Sequence, residues 1–326
     1  MVVRAGLIGI TAALSFFAQA DVSWEKSVPL PDPVQEIYPT VWQGSMVVGG
    51  GLYAHPATRI AITDKVWRGK PGETWEALPA LPEKRHHPML VGIADRLFSV
   101  GGFVETADGK WTNSADTYEL TGQGWQTRAP LPHPLAETVS AVIDGKLHVA
   151  GGRTPEGDKN GQWRDSTDTQ WHGVYDPKTD TWHTAAPLPE AKNSACGVQV
   201  NGKWHVIGGR TKALVNLTSH HVYSPAGDVW TEAPAMPQAQ GGLACAALNN
   251  TIYVFGGEYF EGEGGVFSQV WAFDTEHQRW QAVSEMPVPR HGLGAVTIDD
   301  AIYVIGGAAK MGADDTRADV SVLRVD

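Results

Sequence analysis

Short apolar runs recur along the chain, and each leads into a pair of glycines. Leu97 to Val100, Ile252 to Phe255 and Ile302 to Ile305 are the clearest. Runs this short, rich in β-branched and aromatic residues, predict strands, and apolar residues at successive positions predict burial on both faces. The Gly pair predicts positive φ and close backbone approach at the strand end. Asp144-Gly145, Asn201-Gly202 and Asn249-Asn250 precede such runs and predict hairpin turns. Asp176-Pro177-Lys178-Thr179-Asp180 predicts a turn between a later pair of strands.

The pattern repeats six times. Trp24, Trp75, Trp125, Trp182, Trp230 and Trp280 lie 51, 50, 57, 48 and 50 residues apart. Each is followed by a closing proline: Pro31, Pro82, Pro132, Pro189, Pro237 and Pro287. The glycine pairs begin at Gly50, Gly101, Gly151, Gly208, Gly256 and Gly306. An aromatic column follows at Trp67, Tyr118, Tyr175, Tyr223 and Phe273. One four-stranded sheet cannot bury both of its faces, whereas six arranged radially can.

At these glycines, aromatics and tryptophans the chain resembles the Kelch-repeat family, from about Trp24 to the C-terminus. The resemblance implies an all-β, six-bladed β-propeller with four antiparallel strands per blade, forming a single domain over residues 21–326. The last repeat stops at Val320 to Val325, and Val22 to Val28 precedes the first inner strands. The N-terminal segment is therefore expected to supply the outer strand of the last blade and remove an open edge.

The first residues change the picture of where the chain works. Arg4, the apolar stretch Ala5 to Phe17 and Ala18-Gln19-Ala20 predict a signal peptide over residues 1–20, with mature protein starting near Asp21. The apolar stretch is too short to span a bilayer as a standard helix. The expected location is periplasmic or secreted, with no membrane association after cleavage. Net charge is −11; losing Arg4 leaves 24 basic against 36 acidic side chains, or −12. That balance argues against nucleic acid and against anionic membranes. Cys196 and Cys245 stand 12 and 11 residues before their glycine pairs. The one-residue offset puts them on opposite faces of equivalent strands, so two buried free thiols are expected.

Chain direction alternates within a blade, so the loop after each Gly-Gly and the loop holding each closing Pro share one face. That face is the expected binding surface. It carries Arg153, Arg210 and Glu258 directly after glycine pairs, and Arg85, His86, His87, Glu137, Lys192, Asn193, Gln240, Arg290 and His291 shortly after closing prolines. Such a set suits an anionic or polyhydroxyl ligand, with Arg reading a carboxylate in bidentate fashion. The long loop from Gly152 to Tyr175 adds Trp163 and Trp171 as a sugar platform. His86-His87 and His220-His221 are adjacent pairs whose members should point to opposite faces of a strand, so neither pair is expected to chelate. No cofactor and no metal are expected.

Two main functional readings follow, with a small-molecule or glycan ligand, or a protein partner, at that face. One is a binding module, since Kelch propellers serve as interaction platforms. The other is a sugar mutarotase or epimerase. The chain is similar in size and architecture to the exported N-acetylneuraminate mutarotases, which place a Glu directly after a repeat's Gly, as Glu258 stands here. Where that family carries an Arg a few residues later, this chain has Gly262 to Phe267. That resemblance implies Glu258 as the group removing the anomeric hydroxyl proton, His291 or His86 protonating the ring oxygen, and Arg153, Arg210 or Arg290 holding a carboxylate. A metal-dependent oxidase is a third reading, through the propeller type shared with galactose oxidase-like enzymes.

Overall fold

A computed structural model describes residues 22–325, and the expected signal segment lies outside them. The described residues form antiparallel strands with two short 3-10 turns and no helix long and apolar enough to cross a membrane. Four-stranded meanders recur. The first sheet is Thr40–Trp42, Ser45–Gly49, Val66–Gly69 and Glu76–Leu78. The second begins at Met89–Ile93, the third at Val139–Ile143, the fourth at Cys196–Val200 and the fifth at Ala244–Leu248. The sixth comprises Gly294–Ile298, Ala301–Ile305 and Val320–Val325, and Val22–Lys26 pairs antiparallel along the outside of it, Trp24 opposite Leu323.

The repeated residues do repeated work. Second strands are buried on both faces, as at Val47, Leu97, Leu147, Val206, Val254 and Val304. The outer-strand tryptophans lock neighbouring sheets together. Trp75, Trp125, Trp182, Trp230 and Trp280 each donate their indole N–H to a backbone carbonyl of the preceding repeat: Val28, Pro79, Ala129, Ala186 and Pro234. Trp24 donates to Ser284 Oγ at 2.9 Å. Each indole thus buries its apolar body between sheets and satisfies its one donor.

The innermost strands touch in succession around an axis, the sixth returning to the first. They enclose a channel of about 490 Å3 lined by small and apolar side chains such as Val41, Val91, Ala141, Val198, Ala246 and Val296.

The cysteines correct the sequence expectation. Cys196 and Cys245 are joined in a disulfide, with Cα atoms 5.7 Å apart. They do lie on opposite faces of equivalent inner strands. In a radial stack, however, the forward face of one sheet looks at the rear face of the next, so the offset brings them together.

Candidate functional site

The closing proline of each repeat ends a turn, and the backbone after it enters an inner strand. The third residue after that proline is a structural plug in four repeats. Arg85 Nη1 donates to the Gly101 carbonyl, Gln240 Nε2 to Gly256 and Arg290 Nη1 to Gly306, in each case the first glycine of the pair. Arg85 also lies 5.0 Å over the Tyr118 ring. Arg290 is fully buried and makes further bonds to the Asp319 carbonyl and Ser321 Oγ; burial pushes its pKa down to about 10. Lys192 reaches Ser219 and Glu190, and burial pushes it down to about 8. Arg85 and Arg290, expected as ligand contacts, therefore tie strand ends together and face no common site. In the first repeat the plug position is Val34, and a cavity of about 440 Å3 opens there beside Tyr53, Lys65, Trp67 and Lys84.

The fifth residue after each closing proline forms a belt around the axis. Its members are Glu36, His87, Glu137, Ser194, Gly242 and Gly292, all with φ between 49° and 72°. Their backbones are linked in sequence: His87 N–H donates to Glu36 O, Glu36 to Gly292, Gly292 to Gly242, Gly242 to Ser194 and Ser194 to Glu137, over 2.6–3.1 Å. Four non-glycine residues thus hold a left-handed conformation that costs energy and recurs at functional sites.

Side chains from belt and loops meet above the channel. Glu258 Oε1 is 2.6 Å from Arg210 Nη1 and 3.5 Å from His291 Nδ1. Glu36 Oε2 is 2.6 Å from His87 Nε2, and its Oε1 is 3.6 Å from His291 Nδ1. Glu137 accepts from Ser194 Oγ at 2.7 Å and lies 3.2 Å from Arg153 Nε. Trp163 roofs this corner, with Arg153 stacked 4.3 Å from its ring and its indole N–H 3.3 Å from Glu137 Oε1. Asn193 donates to Asp168 at 2.6 Å and so anchors the long loop. Trp171 points elsewhere, packing on Trp182 and His133.

The electrostatics follow from this crowding. Burial acts to raise Glu36, but His87, His291 and Arg210 override it and hold the carboxyl far below its ordinary range. Burial likewise opposes ionisation of Glu137, yet Arg153, His87, Arg210 and the Ser194 hydroxyl bring it down to about 2. Burial tends to lower Arg210, and Glu258, Glu137 and Glu36 raise it instead. Tyr38, below the belt, is pushed up by burial and then by Glu137 and Glu36.

His86 and His87 do not point apart. Positive φ at His87 breaks the strand alternation, and the two Nδ1 atoms sit 2.8 Å from each other. His86 is stacked on Phe103 and against Trp111, and burial followed by the His87 charge lowers it to about 3. It stands behind the cluster. His220 and His221 do diverge, His220 to His205 and His221 to Lys192.

Comparison with known proteins now bears on this geometry. A family model described as the KLHDC2/KLHL20/DRC7 Kelch-repeats domain matches residues 38–257, and one described as the Kelch motif matches 241–287. The chain belongs to the Kelch-repeat family. Kelch relatives include the Kelch repeat and BTB domain-containing protein 12 of Danio rerio, 31% identical over 42% of this chain and 22% of that protein. The Kelch-like protein terF of Aspergillus terreus is 30% identical over 55% and 38%, and the F-box/kelch-repeat protein SKIP30 of Arabidopsis thaliana 35% over 41% and 39%. The chain thus spans less than two-fifths of the length of these relatives. A solved structure titled "Structure of YjhT" shares the fold, with TM-score 0.77 over 92% of this chain and 99% of that one at 16% identity.

Within this Kelch fold, sequence reasoning found Arg153, Arg210, Glu137, Glu258, His291, Asn193 and Trp163 near the axis and missed Glu36, Ser194 and Tyr38. Aligning the fifth position after every closing proline, the first repeat included, is the signal that finds Glu36.

Proposed function

We propose that the chain is an exported propeller of six blades, one domain over residues 21–326. Its ring is fastened by Val22–Lys26, and it binds a small polar, carbohydrate-like ligand at the axial cluster on its loop face. Pairing of Val22–Lys26 with Val320–Val325 supports the closure. The Cys196–Cys245 disulfide supports export, since such bonds persist in oxidising compartments.

The observation that carries the binding reading is convergence. Three carboxylates, two guanidinium groups and His87 and His291 gather beside the axis from several repeats, in two neighbouring sets of close pairs. A stabilising scaffold gains little from burying so many charges, because desolvation consumes most of the Coulombic gain. A site that must read hydroxyls and a carboxylate needs them. The cluster is closed by loops whose tips are joined by exposed ion pairs, Arg59 to Asp314 and Lys212 to Glu156. Exposed pairs of this kind hold weakly, so the loops can part.

A second reading, sugar mutarotation, is favoured by Glu258, His291 and Arg210 standing within reach of one another. Glu258 would take the proton of the anomeric hydroxyl as the ring C–O bond breaks, His291 would deliver one to the ring oxygen, and Arg210 would hold a carboxylate.

The test is a thermal-shift screen of mature protein against neutral sugars and sugar acids. A ligand of the folded state raises the melting temperature by mass action, and Glu258→Gln should abolish the shift. A shift that survives Glu258→Gln but is lost in Trp67→Ala would move the site to the first-repeat cavity. No shift with any sugar overturns the reading. NMR exchange between anomers separates catalysis from binding alone.

A further inference from the structure

His291 is wholly buried, and its Nδ1 has no hydrogen-bond partner. Its Nε2 lies 2.9 Å from the carbonyl oxygen of Lys310. A carbonyl only accepts, so Nε2 carries a proton, and in the neutral ring Nδ1 presents a lone pair. That lone pair faces Glu258 Oε1 at 3.5 Å and Glu36 Oε1 at 3.6 Å. Three electron-rich atoms confront each other across a gap too long for good hydrogen bonds. Something positive belongs in the gap.

We propose that Glu36, Glu258 and His291 form a site for a divalent transition-metal ion of the zinc type, with a fourth position open. This rests on the reading of the axial cluster as a ligand site and gives that site its central charge. Zinc binds His nitrogen and carboxylate oxygen at about 2.0–2.2 Å, so tetrahedral ligand atoms stand about 3.4 Å apart. The two separations from His291 Nδ1 match, and the three donor atoms lie within 4.8 Å of one another.

The groups behind the donors are those a metal site uses. Ligating histidines donate their other N–H to a carbonyl, and ligating carboxylates are themselves held. Lys310 O takes the His291 N–H, His87 Nε2 holds Glu36 Oε2, and the Gly312 N–H holds Glu258 Oε2 at 2.8 Å. Each carboxylate therefore turns one oxygen to a neighbour and the other to the gap. On the Glu36 side, a cavity of about 10 Å3 bounded by His87, Ser194, Gly242 and Gly292 offers the room of roughly one water.

Arg210 is the group that opposes the ion, because its Nη1 shares Glu258 Oε1. A carboxylate oxygen has lone pairs for both partners. Charge counting also leaves room: Glu36, Glu137 and Glu258 against Arg153 and Arg210 leave one net negative charge when the imidazoles are neutral. An ion there with an anionic ligand at its open position balances the cluster, and Arg210 would steady that ligand.

The experiment equilibrates metal-stripped mature protein with zinc(II), removes the excess and measures bound metal; cobalt(II) supplies an optical signature. About one zinc per chain is expected, with the visible absorption of four-coordinate cobalt. Binding should be lost in His291→Ala and Glu36→Gln and weakened about ten- to hundredfold in His87→Ala, which frees Glu36. Failure of wild-type protein to retain zinc, or retention unchanged in these variants, overturns the site. If His291→Ala does not fold, the long-range ¹H–¹⁵N spectrum of the wild type decides. Zinc must move one histidine Nδ1 resonance, and an unmoved spectrum overturns the proposal. A sugar that still raises the melting temperature of metal-free protein would leave the binding function standing without zinc. Zinc without any sugar response would do the reverse.

Discussion

His148 and His172 face each other across the third sheet, Nδ1 to Nε2 at 3.0 Å, and His205 and His220 repeat the arrangement in the fourth at 2.8 Å. Each pair holds one proton between two nitrogens, so a second proton would set donor against donor. Burial, then the neighbouring His172, lowers His148 to about 4; burial and Lys203 lower His205 to about 4; burial and His205 lower His220 to about 3. Burial lowers His172 as well, against the pull of the Ala186 carbonyl. The sign of the consequence follows. Unfolded chains take up protons near the ordinary value of 6.5, while folded chains refuse them until much lower pH. Stability is therefore full above that value and falls as pH drops from it towards about 4. Urea midpoints should decrease between about pH 7 and about pH 5, before ordinary carboxylates titrate. A constant midpoint over that interval would contradict the neutral-pair assignment. The same scale explains why Arg85 and Arg290 looked like ligand contacts in the sequence. Side-chain type and loop position were legible, but whether a guanidinium faces the axis or a carbonyl of its own sheet depends on one residue of register.

Inner strands meet their neighbours face to back, and the disulfide uses that contact. It closes a loop with a sequence separation of 49 residues between the fourth and fifth sheets. On the chain-entropy model a loop of this size contributes about 4 kcal/mol. Cys196→Ser should lower the unfolding free energy by an amount of that order in denaturant titrations, and thiol titration of unfolded wild-type protein should find no free sulfhydryl. An unchanged free energy, or two titratable thiols, would sink the assignment. Strands, turns and glycine pairs were readable because each has a local cause in the chain. The pairing of cysteines was not, because it depends on how one sheet leans on another. The belt of left-handed residues was half legible for a similar reason: Glu137 and His87 stood out by chemistry, but the conformation they share with Ser194 and Gly242 has no signature in any single repeat.

Across the whole molecule, the proposed ring would be fastened at one seam. Val22–Lys26 covers the outer edge of Val320–Val325, and Arg324 binds Glu25 and Asp300 beside it. Removing residues through Lys26 would leave that strand with unpaired backbone groups, a template for other chains. The truncated protein should melt at a lower temperature and elute as larger species in size-exclusion chromatography. A monomer with unchanged melting would show that the seam does not fasten the ring. The repeat spacing made the Kelch fold legible from sequence, since equivalent tryptophans, prolines and glycine pairs can be matched without coordinates; how the loops pack beside the axis could not be read in this way.

The belt has an electrical consequence. Peptide dipoles at a helix terminus add along one direction and favour anions there. In the belt five N–H groups follow one another head to tail from His87 round to Glu137, most of a turn about the axis, so their in-plane components oppose one another. Unlike a helix terminus, the belt does not stack its peptide dipoles along one direction. The sign of whatever enters is left to the side chains mounted on the circle, and exchanging a few of them would retune the mouth without altering the wheel that carries them.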